Sequence, residues 1–236
     1  MSSELKISFA LLLLLVFCQG TSLFSQQQIN NPGFEFWEEI RSGVYEPMNW
    51  NTIKNTDGGK ATNRMAPEVV NRVELKHGGA NAVMLVNEST MGIVANGMLT
   101  NGAIHGNIDK EKSFVYSDST KKEFCTRFTS RPDSITGWYQ YKPQGNDSAM
   151  MVVLLHRDYI TLPDHGTKNN WVGGVKLILP GTNGDTWTRF SAPLQYFQDG
   201  KPEFILMVLS AGNRKQAVEG SVAMFDDIQL IYNSSK

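Results

Sequence analysis

The chain has 236 residues, of which 41% are hydrophobic and 19% charged, and its formal net charge at pH 7 is −1. The balance of 22 basic and 23 acidic residues leaves no cationic excess for a phosphate backbone, which argues against a dedicated nucleic-acid-binding protein. The apolar content excludes an intrinsically disordered chain, and two cysteines are too few for a disulfide scaffold or a four-thiolate zinc site.

The first 25 residues predict a cleaved secretory signal peptide. Behind Lys6 runs a short apolar stretch, 7–18, that contains five consecutive leucines. The stretch is too short to span a bilayer comfortably, and small or polar residues follow it. Cys18 is preceded by Phe17, whereas lipoprotein signals resemble a Leu-small-small-Cys pattern, so a lipid anchor is disfavoured.

Cleavage after Ser25 is favoured over cleavage after Gly20 or Ser22. The remaining residues, 26–236, form a single predicted domain without a linker, and the only cysteine left is Cys125. Export to the periplasm, the cell surface or the medium follows from the signal peptide, and no later segment predicts a transmembrane span.

Short apolar or alternating runs separated by turn residues follow along the chain. The predicted strands lie at 83–86, 137–141, 151–155, 175–179, 188–191, 204–209 and 228–232. Dense turn signals occur at 144–147 and 180–185, and Asn96-Gly97 and Asn101-Gly102 are hairpin-type dipeptides. No helical periodicity extends over ten residues. The pattern predicts an all-β fold, an antiparallel β-sandwich of the jelly-roll type.

Four motifs carry a family resemblance. The predicted mature chain opens with NPGFEFW at 31–37 and PMNW at 47–50, contains GWYQYKP at 137–143 and closes with FDDIQL at 225–230. In this order they resemble the carbohydrate metabolism domain family abbreviated PCMD, exported jelly-roll proteins of glycan-degrading bacteria. The two ends also resemble galactose-binding-like carbohydrate-binding modules. Trp138 and Gln140 depart from the family's middle motif, which reads closer to Gly-Tyr-Tyr-Lys-Tyr.

The resemblance implies a structural calcium ion held by Glu35 and Asp227, as related carbohydrate-binding modules hold one with a Glu, an Asp and backbone carbonyls. If the first and last strands are neighbours, carboxylates of Glu35, Asp226 and Asp227 converge, and a hard cation relieves their repulsion. Strand alternation points Asp226 the other way. The alternative is that Glu35 pairs with backbone N–H groups and the two aspartates simply open the last strand.

Aromatic side chains are the candidates for sugar stacking, since sugars present C–H faces to flat rings. Tyr139 and Tyr141 share one face of their strand, and either they or their neighbours pack between the sheets. The loop from Arg157 and Asp158 to Trp171 combines polar groups with an aromatic residue at its end. Trp171, Tyr139, Tyr141, Arg157 and Asp158 are therefore the predicted ligand-binding residues.

No catalytic residue is predicted. The loop carboxylates form no motif, the four histidines lack zinc-site spacing, and a Gly-x-Ser-x-Gly elbow is missing. The sequence and the resemblance together indicate an exported glycan-binding domain that assists polysaccharide capture or degradation. Two alternatives stay open. One is an unconventional glycoside hydrolase or lyase with its acid and base in the loop 156–171, and the other is a structural or adhesion domain of the cell envelope without a small ligand.

Overall fold

The computed structural model describes residues 26–107, 109–213 and 217–233. The predicted signal peptide lies outside these residues. Within them, none of the helices has both the length and the apolar character that a membrane crossing requires.

Strands dominate the described residues. In chain order they are β1 (Trp37–Arg41), β2 (Val44–Pro47), β3 (Val70–Val73), β4 (Ala82–Val86), β5 (Glu88–Thr90), β6 (Ile93–Ala95), β7 (Met98–Thr100), β8 (Ala103–His105), β9 (Phe114–Ser117), β10 (Thr126–Arg127), β11 (Ser134–Lys142), β12 (Ala149–His156), β13 (Ile160–Leu162), β14 (Trp171–Leu179), β15 (Thr188–Pro193), β16 (Gln195–Tyr196), β17 (Phe204–Ser210) and β18 (Val222–Ile231). One short helix, α1 (Gly59–Met65), and three 3₁₀ turns, Lys110–Lys112, Lys122–Phe124 and Lys168–Asn170, complete them.

Two antiparallel sheets form the body of the protein. The first has the order β15-β11-β18-β4-β3, and the second has the order β10-β17-β12-β14-β16, with β7 also paired to β17. The main hydrophobic cluster draws buried side chains from both sheets, among them Tyr139 and Phe225 of the first and Val153, Leu155 and Met207 of the second. The predicted all-β antiparallel sandwich is thereby confirmed.

A small third sheet, β13-β9-β8, covers one end of the second sheet on the side away from the main core. Ile104, Val115 and Ile160 from this sheet pack with Leu154 and Leu206 from the second sheet in a separate buried cluster. This packing fixes β8 and β9, which line the cleft described below.

The two Asn-Gly dipeptides do not form the predicted hairpin turns. β6 pairs with β5 and β7 pairs with β17, so neither dipeptide joins two paired strands. Instead, Asn101 binds the edge of β17, accepting a hydrogen bond from Met207 N at 2.6 Å and donating one to Ile205 O at 3.1 Å. Side-chain hydrogen bonding to a distant strand, which local sequence does not reveal, replaces the hairpin here.

Candidate functional site

A cleft of about 350 Å³ opens where the loop 51–57, strands β8 and β9 and the turn 121–124 meet. Its lining combines amide, carboxylate, phenol and ammonium groups with apolar side chains. The lining residues are Asn51, Asn55, Thr56, Asp57, Ala103, Ile104, Tyr116, Lys121, Lys122, Glu123 and Phe124. Concave sites of mixed polar and apolar lining are where small ligands bind.

Backbone hydrogen bonds fix the loop 51–57 beside the cleft. Asn51 exchanges two of them with Thr100, at 2.6 and 3.1 Å, and so continues the edge of β7. Six residues later the Asp57 N–H donates to Ile104 O at 3.0 Å. The loop is therefore anchored at both ends, and the side chains that it presents to the cleft are held in position.

Asp57 is the centre of a hydrogen-bond network in the cleft. Its Oδ2 accepts a hydrogen bond from the Tyr116 hydroxyl at 3.0 Å. Its Oδ1 lies 3.0 Å from His105 Nδ1 and accepts a hydrogen bond from Gly106 N at 3.3 Å. Lys121 Nζ in turn donates to the Tyr116 hydroxyl. The carboxylate oxygens of Asp57 are thus supplied with donors from three sides.

The protonation states of this network follow from its surroundings. Burial raises the pKa of Tyr116, and the hydrogen bond to Tyr116 raises the pKa of Lys121. At neutral pH the phenol is therefore neutral and the ammonium is charged. Tyr116 acts as donor to Asp57 and as acceptor from Lys121, which is the arrangement the distances require.

Asn51 leaves one polar atom of the cleft without a partner. The residue is buried, and its Nδ2 donates to Gly102 O at 3.2 Å. Its Oδ1 has no hydrogen-bond partner within the described part of the chain. An unmet buried acceptor costs about 1–3 kcal/mol, and because Asn51 Oδ1 is covered, a ligand hydroxyl that donates to it recovers this free energy only after a shift of the Asn51 side chain.

An exposed aromatic ring lies next to these polar groups. Tyr159, in the loop between β12 and β13, is 41% exposed, and its ring centroid lies 6.0 Å from that of Tyr116. Exposed rings beside hydrogen-bonding groups suit the C–H faces and hydroxyls of a sugar. Tyr159 belongs to the loop that the sequence analysis selected, although it was not among the predicted ligand-binding residues.

The structure corrects the assignment of Tyr139 and Tyr141 to ligand binding. Their exposed fractions are 4% and 0%, and both rings belong to the main core between the sheets. The sequence left open which face of β11 packs inward, and these two tyrosines are on that face. A glycan cannot stack on rings that the opposite sheet already covers.

The structure shows contacts within the protein for Trp171, Arg157 and Asp158. Their part in ligand binding stays a prediction. Trp171 is half-buried, packs against the second hydrophobic cluster and has Lys168 Nζ 5.7 Å from its ring centroid. Arg157 donates to Asp199 O at 2.8 Å and to another carbonyl nearby. Asp158 is exposed with a positive φ of 49°, and its carbonyl oxygen lies 2.9 Å from Nδ1 of His156.

Glu35 lies against the loop that precedes β4. Its carboxylate accepts hydrogen bonds from Ala80 N at 2.9 and 3.0 Å and from Asn81 N at 3.1 Å. A Cβ on Gly79 would lie 1.7 Å from Glu35 Oε1, and Gly79 has a φ of +57°, so glycine is required at this close approach. The backbone N–H groups are the partners that the alternative to calcium named for Glu35.

The prediction that Asp226 points away from Asp227 and Glu35 is wrong. The register of β18 against β11 shifts between Thr136 and Trp138, and Asp227 takes a positive φ of 47°. The irregularity breaks strand alternation. A Cβ on Gly33 would lie 3.5 Å from Asp227 Oδ1 and 3.6 Å from Asp226 Oδ1, so both carboxylates face the same segment as Glu35.

His77 joins this carboxylate cluster to the outer face of the first sheet. The backbone N–H groups of His77 and Gly78 donate to Asp226 Oδ2 at 2.8 and 3.0 Å. The His77 ring lies 2.7 Å from Asp227 Oδ2 and stacks on Trp138, with centroids 3.9 Å apart. Burial raises the pKa of Asp226, and the neighbouring charge of Asp227 adds to this effect.

The donor atoms suit calcium in kind, because carboxylate oxygens are the hard ligands that this ion prefers. Asp227 Oδ1 accepts no hydrogen bond from the described residues and is the oxygen left for a cation. Both oxygens of Glu35 already accept N–H bonds. No group of three or more His, Cys, Asp and Glu side chains in the described ranges is arranged to hold a metal ion, and the calcium site stays a prediction.

Similar solved structures are carbohydrate-binding modules and an adhesin domain. TmCBM61 in complex with β-1,4-galactotriose has a TM-score of 0.40 and 13% identity, covering 87% of this chain and 97% of that one. The CBM22-1 xylan-binding domain of Paenibacillus barcinonensis Xyn10C has a TM-score of 0.36 and 8% identity, with coverages of 88% and 95%. The K1 cleaved adhesin domain of Lys-gingipain from Porphyromonas gingivalis W83 has a TM-score of 0.40 and 11% identity, with coverages of 88% and 98%.

No protein-family model and no curated protein matches the chain. The resemblance to the PCMD family therefore stays a prediction.

Most residues of the cleft were missed by the sequence analysis. Asn51, Asp57, Tyr116 and Lys121 come from separate segments and belong to none of the quoted motifs. The only available signal was the polar and aromatic loop that contains Tyr159.

Proposed function

We propose that the protein binds a glycan in the cleft beside Tyr159. The observation that carries this proposal is an exposed aromatic ring next to a fixed set of sugar-compatible polar groups, one of which, Asn51 Oδ1, is buried without a partner. The ring stacks on one face of a sugar. The amide of Asn51 and the ammonium of Lys121, which both line the cleft, bond its hydroxyls.

Export and an accessory role in polysaccharide capture or degradation belong to the same proposal. Export rests on the apolar stretch behind Lys6 and the small or polar residues that follow it. The accessory role rests on a cleft that is built for binding and on the lack of any catalytic motif in the sequence.

Calcium at Glu35 and Asp227 is a further part of the proposal. The support is that the carboxylates of Asp226 and Asp227 face the segment that carries Glu35, together with the oxygen Asp227 Oδ1, which accepts no hydrogen bond from the described residues. When bound, the ion would tie the N-terminal segment to β18. It would stabilise the sandwich and would take no direct part in sugar recognition.

The test combines a glycan array with a reducing-sugar assay on the purified protein that follows the predicted cleavage site. We expect binding without release of sugar. Release of sugar would favour the hydrolase or lyase alternative, and neither binding nor release would favour the structural or adhesion domain.

Two variants locate the binding. Tyr159→Ala should lower retention on the preferred glycan by about three- to tenfold, because stacking on one ring contributes roughly 0.5–1.5 kcal/mol. Tyr45→Ala is the matched control, since Tyr45 is similarly exposed, at 49%, but lies on β2 and is not among the rings that contact Tyr116. Equal retention by wild type and Tyr159→Ala would contradict the assignment of the cleft.

A further inference from the structure

On the side of the cleft formed by Lys121 and Lys122, N–H donors are free to bind a ligand. Lys121 and Lys122 line it next to each other, and neither forms an ion pair with a carboxylate in the part of the chain that the structure describes. An ammonium group has three N–H donors, and Lys121 Nζ uses one of them on the Tyr116 hydroxyl. Two donors of a charged group therefore remain for a ligand.

The carboxylate of Asp57, in contrast to the lysine ammonium groups, already has several hydrogen-bond partners. Asp57 already receives hydrogen bonds or close contacts from Tyr116, Gly106 and His105. Asp57 forms no direct ion pair with Lys121, although its charge and that of Asp118 attract the ammonium. Glu123 lies in the same 3₁₀ turn as Lys122 and is exposed, as Lys121 is, so solvent weakens both charges and Glu123 opposes an anionic ligand only in part.

The location of Lys121 makes its charge usable by a bound sugar. Its Nζ lies 4.8 Å from the Tyr116 ring centroid, and Tyr116 is in turn next to the exposed ring of Tyr159. A sugar stacked on Tyr159 therefore lies beside a cation with free donors. Hydrogen bonds between an ammonium and an anionic oxygen are shorter and stronger than neutral ones.

From these contacts we infer that the cleft selects an anionic sugar residue, whose carboxylate or sulfate oxygens bind Lys121. The inference rests on the proposed glycan binding and adds the class of ligand. The unmet Asn51 Oδ1 receives a hydroxyl of the same residue, and Tyr159 stacks on its ring.

The test measures affinities by titration calorimetry for two matched pairs of oligosaccharides. Oligogalacturonate is compared with its carboxyl-reduced form, and a sulfated galactan oligosaccharide is compared with its desulfated form. We expect the anionic member of one pair to bind about tenfold or more tightly than its neutral partner. The pair that shows the difference identifies carboxylate or sulfate as the group recognised.

Variants assign the difference to Lys121. Lys121→Met should remove the preference, and Lys121→Arg should keep most of it because the charge is retained. Lys112→Met removes the same charge from a surface lysine that is outside the cleft and paired with Asp109, and it should leave the preference intact. Glu123→Gln, which relieves repulsion at the rim, should raise affinity for the anionic member about two- to threefold.

Failure of this inference and failure of the proposed function give different results. If anionic and neutral members bind equally and Tyr159→Ala weakens both, glycan binding stands and anion selection is wrong. A preference that Lys112→Met lowers as much as Lys121→Met is non-specific attraction and overturns the inference. If no oligosaccharide binds here or on the array, the proposed function fails and anion selection fails with it.

Discussion

The hydroxyl of Tyr116 donates a hydrogen bond to Asp57 Oδ2 at 3.0 Å and accepts one from Lys121 Nζ. This pair of hydrogen bonds joins the loop 51–57 to strand β9 and to the turn 121–124, which follows β9 closely in the chain. The cleft depends on it in two ways, since it holds the loop against the sheet and it sets the direction of the ammonium group.

Tyr116→Phe therefore should affect both binding and stability. The variant keeps the ring but deprives Asp57 and Lys121 of a shared partner, so the free energy of unfolding should fall by about 1 kcal/mol. Glycan affinity should fall by about tenfold, because the donors that remain are less fixed. Chemical denaturation and titration calorimetry measure the two effects, and an unchanged affinity with the expected loss of stability would restrict Tyr116 to a structural role.

The buried carboxyl group of Glu46 should lower the free energy of unfolding as the pH rises. The residue is 1% exposed, and burial raises its pKa from 4.5 to about 7, although hydrogen bonds from Thr52 act in the opposite direction. The folded state holds the Glu46 proton more tightly than the unfolded state does. The stabilisation that this gives the folded state is fully present below pH 4.5 and is lost as the pH rises through 7. The full difference is about 3 kcal/mol.

Glu46→Gln tests this effect, because the amide cannot ionise. Relative to the wild type, the free energy of unfolding of the variant should rise as the pH goes from 4.5 to 7, because only the wild type has this carboxyl to ionise. Parallel curves for wild type and variant would show that Glu46 does not govern this range.

The buried ring of His156 should have the opposite effect and lower the free energy of unfolding as the pH falls. Burial lowers its pKa from 6.5 to about 4, its exposed fraction is 0%, and its Nε2 has no hydrogen-bond partner among the described residues. The folded state prefers the neutral ring, so this contribution is complete above pH 6.5 and is lost as the pH falls toward 4. The magnitude is again about 3 kcal/mol.

His156→Phe keeps an aromatic ring next to Phe204, whose centroid lies 5.6 Å from that of His156. The variant should lose stability less steeply than the wild type between pH 6.5 and 4. Thermal unfolding at a series of pH values measures this slope. An equally steep decline in the variant would mean that other groups cause the acid sensitivity.

Calcium at Glu35 and Asp227 predicts a higher melting temperature in millimolar calcium than in a chelated control, because an ion that binds only the folded state stabilises it. Asp227→Asn should reduce the shift, whereas Asp185→Asn, which alters an exposed aspartate paired with Lys142, should not. The same melting temperature with and without calcium would leave the N–H groups and His77 as the partners of this cluster.

The sandwich was predictable because its strands have a local signature. The runs at 151–155 and 204–209 lie within β12 and β17, and the run at 228–232 overlaps β18. The irregularity at Asp227 was not predictable, since it depends on how β18 pairs with β11, and it reversed the expected direction of Asp226. Hydrophobic alternation likewise placed Tyr139 and Tyr141 on one face without showing which face the opposite sheet covers.

The cleft was beyond sequence reasoning for a related reason. Tyr116 and Lys121 are only 5 residues apart, but Asp57 is 59 residues from Tyr116, and long-range packing of β8, β9 and β13 on the second sheet places β9 beside the loop that carries Asp57. Tyr159 was within reach, because the loop that contains it was recognised. Trp171 was preferred there because it stands at the end of that polar loop.

The central claim is that a glycan occupies the cleft beside Tyr159, and backbone amide chemical-shift mapping tests it most directly. Titration with the oligosaccharide that binds best should perturb the amide signals of Asn51, Asn55, Tyr116, Lys121 and Tyr159 first, with small shifts elsewhere. Perturbations centred on other residues, such as the loop around Arg157 and Trp171 without the cleft, or an absence of perturbation with every glycan tested, would contradict the claim.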